Sequence, residues 1–160
     1  MTNTYTPIAS VTLSASTSEI VFSGLPQTFR DLILVSNGNV TSSLTTRLRF
    51  NGDAGSNYNY VSAAGDNGGG TYSVAATNTG IIPLPDFADN GAFQHIYQIM
   101  DYSQTNKHKT VLVRAGVSGT SPNMVAGRWA NSAAVTSLSI TASANAYTSG
   151  STFTLFGVIA

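Results

Sequence analysis

The sequence predicts an all-β fold, an antiparallel β-sandwich, and three observations carry that prediction. Apolar and polar residues alternate with a period of two through most of the chain. Clusters of Gly, Asn, Asp, Ser and Pro interrupt the alternation about every 8–12 residues. No stretch of about 11 residues carries an apolar stripe at helical spacing.

The clearest element spans residues 45–58, TTRLRFNGDAGSNY. Thr46, Leu48 and Phe50 fall on one face of a strand, and Thr45, Arg47 and Arg49 on the other. Asn51-Gly52-Asp53 and Gly55-Ser56-Asn57 supply residues that tolerate a tight reversal, and a second extended segment starts at Tyr58. The remaining chain repeats this grammar. Residues 6–13 form a first strand with Pro7 near its start, where a missing N–H does least harm. Residues 19–22 form a short second strand. Residues 31–36 are a continuous apolar run, expected of a central strand covered on both faces, and Asn37-Gly38 then predicts a sharp turn. Further strands are expected at 58–63, 93–102, 108–117, 124–130, 135–142 and 152–159, with residues 103–107 turning between the fourth-from-last and its predecessor. Residues 64–92 are the least regular part, a long excursion holding two short strands at 71–76 and 79–84, between Gly68-Gly69-Gly70 and the turn-rich cluster 86–91.

At 160 residues the chain reads as a single domain over 1–160, able to bury roughly 70% of its unfolded surface without disulfides or a structural metal. There are no cysteines, which excludes thiolate metal sites and cysteine-based redox sites. Only 9% of residues are charged, yet 42% are hydrophobic and regularly placed, so the chain folds and is solvated by hydroxyls and amides instead of charge. Seven basic residues balance seven acidic ones. No long-range field therefore draws nucleic acid or an anionic membrane. The opening MTNTYTPIAS has neither the basic nor the apolar region of a signal peptide, and no apolar run is long enough to span a membrane, so synthesis without a Sec signal is expected.

No catalytic, cofactor or metal site is expected. Asn51, Asp53, Ser56 and Asn57 offer oxygens, but a calcium site wants several carboxylates, and 51–57 has one. The favoured reading is a turn in which Asp53 and Asn57 cap backbone N–H groups, with weak Ca²⁺ binding left open. His95 shares a face with Phe93, Tyr97 and Ile99 and reads as a buried histidine; His108, near Lys107 and Asp101, has no third ligand. Asp86 and Asp89 read as turn residues beside Pro85 and Asn90-Gly91. Residues 116–120 lack the second glycine of a nucleophile elbow, and Gly68-Gly69-Gly70 lacks the lysine of a phosphate loop. The residues left over suit partner contact. Arg47, Arg49, Arg114 and Arg128 each sit in a predicted strand of a charge-poor chain, and arginine is the cation suited to interfaces. Tyr58, Tyr60 and Tyr72 flank or lie in the irregular excursion, where exposed rings would form a binding surface. Trp129 and Tyr147 are further ring candidates, Trp129 with a core role at least as well supported.

YTPIASVTL, FSGLPQTFRDLILV, RFNGDAGSNY, IMDYSQTNKHKTVLVRAG, GRWANSAAVTSLSIT and GSTFTLFGV, in that order, resemble a module of tailed bacteriophages, notably of marine and cyanobacterial hosts. The module occurs in virion structural proteins, as a small free-standing protein or as a domain of tail appendages. The resemblance covers nearly the whole chain and is weakest over 64–92. It implies a jelly-roll-like β-sandwich, assembled as a homotrimer, with a role in the virion and no catalysis. The chain reads as one module without a heptad stalk, glycine-repeat shaft or anchoring domain. The expectation is therefore a capsid decoration (cement) protein, made in the host cytoplasm and bound to the major capsid protein. The alternative is a receptor-binding tip of a tail fibre or appendage, bound to host surface polysaccharide.

Overall fold

The computed structural model describes residues 4–42, 44–65, 68–84, 91–117 and 122–159. Every regular element among them is a strand. In chain order these are β1 (Tyr5–Thr12), β2 (Glu19–Ser23), β3 (Asp31–Asn39), β4 (Thr46–Phe50), β5 (Tyr58–Gly65), β6 (Thr71–Thr79), β7 (Ile82–Pro83), β8 (Ala92–Met100), β9 (Lys109–Val117), β10 (Asn123–Trp129), β11 (Ser137–Ala142) and β12 (Thr152–Val158). They form two antiparallel sheets of unequal width. The larger has eight strands in the order β1-β12-β3-β8-β9-β10-β5-β6, and the smaller has four in the order β2-β11-β4-β7. The chain passes from one sheet to the other repeatedly, and only β5–β6 and β8–β9–β10 run on within one sheet. This winding makes the antiparallel sandwich that the alternation predicts jelly-roll-like, as the sequence resemblance implies.

Period-two patterning sets which side chains enter the core. In β4, Thr46, Leu48 and Phe50 are buried while Arg47 and Arg49 stay half-exposed. In β10, buried Val125 and Trp129 alternate with exposed Met124, Ala126 and Arg128. Leu32, Leu34, Leu48, Phe50, Ile82 and Leu155 are entirely removed from solvent, and each such side chain contributes about 1.5–3 kcal/mol of transfer free energy. Phe93, Tyr147 and Phe153 form an aromatic group, with Tyr147 edge-on to Phe153 at 5.3 Å. Its hydroxyl meets the Thr46 hydroxyl at 3.0 Å.

Three local expectations change. Asn37-Gly38 is not a sharp turn: β3 runs on to Asn39, paired with β12 on one side and β8 on the other. Glycine is required at position 38 because φ is 154° and a Cβ there would run into Ser151. Nor is β3 covered on both faces, since Ile33 and Val35 are only half-buried. The described residues of 64–92 are also more regular than the sequence suggests. β5 continues to Gly65 and pairs antiparallel with nine-residue β6 from Gly65–Thr71 to Tyr58–Thr79, with a register shift between Tyr58 and Tyr60; Gly69, which precedes β6, has φ 84°. The cluster at 86–91 lies outside the described residues except for Gly91.

The crossovers from β4 to β5 and from β10 to β11 lie side by side and are stitched together. Asn51, at φ 52°, donates through Nδ2 to Ala134 O at 2.8 Å and accepts through Oδ1 from the N–H groups of Thr136 and Ser137 at 2.8 and 3.1 Å. Its own N–H donates to Ser137 O, and Ala130 N–H donates to Asn57 O. Replacing Asn51 with Gly keeps the backbone relaxed and removes the side-chain bonds, so denaturant unfolding should show a loss of about 1–3 kcal/mol. Asn51→Ala should cost about 1–2 kcal/mol more, because alanine resists positive φ. A glycine variant as stable as the parent would show that the stitching contributes nothing.

Candidate functional site

The wide sheet presents one broad face to solvent, and its composition follows from strand register. Three rows of side chains cross it. Gln98, Leu112, Ala126, Val61 and Ala75 are successive partners from β8 through β9, β10 and β5 to β6. Ile96, Arg114, Met124, Ala63 and Ser73 form a second row, and Met100, Thr110, Arg128 and Asn59 a third. Val61, Met124, Leu112 and Met100 are 55%, 54%, 41% and 37% exposed, which is high for large apolar groups set so close together. A shallow hollow of about 510 Å³ opens among Val61, Ala75, Met100, Leu112 and Ala126, with Arg128 at its border. Arg114 edges a second hollow of about 250 Å³ with Gln94 and Ile96. Methionine adapts its shape to a partner and arginine adds directed donors, so this face is chemically suited to protein contact.

The other two arginines lie elsewhere. Arg47 and Arg49 stand on the outer face of the small sheet, in rows running Glu19–Thr141–Arg47–Pro83 and Val21–Ser139–Arg49. Arg49 is partly committed to the fold, since its Nε donates to Gly80 O at 3.3 Å. The four arginines therefore divide between opposite faces of the sandwich.

The tyrosines separate as well. Tyr58 is fully buried, so the expectation of an exposed ring there is wrong. It packs with Phe50 and Trp129, and its hydroxyl accepts from Phe50 N–H at 3.0 Å and donates to Phe50 O at 3.3 Å. Burial pushes its hydroxyl pKa up to about 12. Tyr60 is half-buried and Tyr72 is 48% exposed. Both line a hollow of about 290 Å³ with Ser62, Val74, Thr45 and Leu84 on the inner side of the wide sheet, beside its β6 edge. Trp129 and Tyr147 both belong to the core.

The loop at 51–57 is a hydrogen-bonded turn organised around Asp53. The carboxylate accepts from the Trp129 indole at 2.7 Å, the Asn57 amide at 2.9 Å and Gly55 N–H at 2.8 Å. Burial alone would raise its pKa; the Trp129, Asn57 and Gly55 donors, with Arg49 nearby, outweigh that and hold it below the usual value. Among the described residues no group of three or more His, Asp or Glu is placed to hold a metal. Asp31 accepts from Asp101 N–H at 2.8 Å, and Asp101 pairs with Lys107 at 3.1 Å. Asp66, Asp86, Asp89 and residues 118–120 lie outside the described residues.

Lys109 escapes the sequence reading, although period two places it on the face of Val111 and Val113. It is fully buried and donates through Nζ to the carbonyls of Lys107 and Ser132 at 2.9 and 3.1 Å. Burial lowers its pKa, countered in part by Asp101.

Comparison of the chain with protein-family models, with curated proteins and with solved structures gives no match.

His95 gives a pH prediction. It is 1% exposed, stacked on Phe93 at 5.0 Å, with Nδ1 3.4 Å from the Tyr97 hydroxyl, and burial lowers its pKa from 6.5 to about 3. The unfolded chain therefore binds the proton first as pH falls, and stability is lost from the unfolded value downward toward the folded one. Urea unfolding should show a slope approaching about 1.4 kcal/mol per pH unit below pH 6.5. His95→Gln should flatten it between about pH 6 and 5, above the range where carboxylates titrate. An unchanged slope in the variant would refute the assignment.

Proposed function

We propose that this chain is a structural protein of a tailed-bacteriophage virion and decorates the capsid as a cement protein. The exposed apolar and arginine-bearing face of the eight-stranded sheet carries the reading as a protein-contact module. The ordered sequence resemblance supplies the virion setting. Bound across neighbouring major capsid subunits, such a face adds buried area that must be lost before the shell can open. Individual contacts of modest strength suffice, because many copies act on one particle. With so few charges involved, the contacts depend little on salt.

The hollow beside Tyr60 and Tyr72 favours a second reading, a receptor-binding tip on a tail appendage. Rings beside Ser and Thr hydroxyls can stack on and hydrogen-bond to a surface polysaccharide.

Electron microscopy of antibody-labelled virions separates the two. Label spread over the head, with heat or osmotic lability in particles lacking the protein, is the expected result. Label confined to the tail, with loss of adsorption, would refute decoration. Arg114→Glu and Arg128→Glu, both on exposed positions, should each weaken binding to undecorated heads about tenfold or more while leaving the melting temperature unchanged. Undiminished binding of the double variant would exclude this face as the contact.

A further inference from the structure

The four sheet edges of this sandwich are not alike. β1 carries Pro7 and a register shift between Pro7 and Ala9. β2 has five residues and begins with Glu19. β7 has two residues, one of them Pro83. Short length, proline, charge and irregularity all discourage another strand from pairing. β6 is the least protected of the four: TYSVAATNT is nine residues long, without charge or proline, and it pairs regularly with β5 from Thr71 to Ala76, the register shifting only beyond Ala76, where Asn78 has φ 57°. Its ladder runs to β5 alone, and among the described residues no backbone hydrogen bond reaches it from the opposite side. Both of its faces are open, with Tyr72 and Val74 48% and 47% exposed on one and Ala75 on the other beside Val61.

We propose that a second copy of this chain pairs with β6 through its own β6, antiparallel, about a two-fold axis at Ala75. The strand complements itself in that register. Val74 faces Ala76 of the other copy, and Ser73 faces Thr77. Small residues at the centre allow close approach, polar ones flank them, and no like charges meet. The formal charge of the chain is zero, so no long-range repulsion opposes the encounter. The row Leu112–Ala126–Val61–Ala75 leads to the axis, so the pair joins two apolar faces into one. Because each β6 is used once and the other edges are protected, assembly stops at two. This two-fold differs from the trimer implied by the sequence resemblance. It follows from the edge alone and holds whether or not the chain decorates a capsid.

Sedimentation equilibrium of the full chain tests the pairing. The parent should have the mass of two chains at micromolar concentration. Ala75→Lys and Ala75→Glu each place like charges opposite one another on the axis, and each should raise the dimer dissociation constant at least about tenfold. Mixed in equal amounts, the two variants should form dimers again, because Lys then faces Glu. If either variant loses its parental circular dichroism or melting temperature, Thr77→Lys, also exposed, takes its place as the weakening variant. A parent that stays one chain in mass up to about 1 mM overturns the proposal. So does a two- or three-chain mass that the variants leave unchanged.

Discussion

The two crossovers at one end of the sandwich hold its sheets in register, and the hydrogen bonds between them are the constraint on which the rest depends. β4 lies in the small sheet and β5 in the large one; β10 lies in the large sheet and β11 in the small one. Each connection is a place where the two layers could slide or separate. Asn51 ties the first connection to the second through Ala134, Thr136 and Ser137, and Asp53 ties it to Trp129. Beneath them Phe50, Tyr58 and Trp129 pack at centroid separations of 5.7–6.4 Å. Polar groups at this seam are thus paired with protein partners, which avoids the cost of leaving a buried donor or acceptor unmet. With the seam closed, the outward side chains of β10 and β5 stand in fixed rows.

Much of this was legible in the sequence wherever one residue type carries one consequence. The alternation of Leu48 and Phe50 with Arg47 and Arg49 placed β4 correctly, because a half-buried strand has a period of two. The same rule put His95 in the core with Phe93 and Tyr97. What could not be read depends on contacts between distant parts of the chain. Asn51 looks like an ordinary turn residue, and its partners lie 83 to 86 residues away. Tyr58 adjoins a polar loop, and nothing local shows that its hydroxyl folds under Phe50. Asn37-Gly38 has the composition of a turn, but pairing with strands on both sides carries β3 through it. The unequal widths of the sheets, eight strands against four, follow from pairing choices with no local signature. From that inequality come the hollow beside Tyr72 and the bare edge of β6.

The surface chemistry fits a module whose work is contact. Val61, Met100, Leu112 and Met124 gather on the broad face and Tyr72 and Val74 on β6, while exposed Tyr5, Val21 and Ile159 stand apart, and the cations beside the first group are arginines. Arg114 and Arg128 share the face with Met100, Leu112 and Met124, whereas Arg47 and Arg49 are half-buried on the far side, Arg49 partly occupied with Gly80. A contact surface built on strands is held more rigidly than one built on loops, so less ordering entropy is lost when a partner binds. The geometry of this face thus supports the proposed reading of a rigid, charge-poor platform that adds area to a larger assembly.

The most direct test of that reading is oxidative footprinting of Met100 and Met124, which stand 37% and 54% exposed on the proposed contact face. Brief peroxide treatment followed by mass spectrometry reports how accessible each thioether is. Both should oxidise readily in the free protein and be protected on the intact particle. Equal oxidation in the two states would contradict the account, because it would leave this face exposed to solvent where it should be buried.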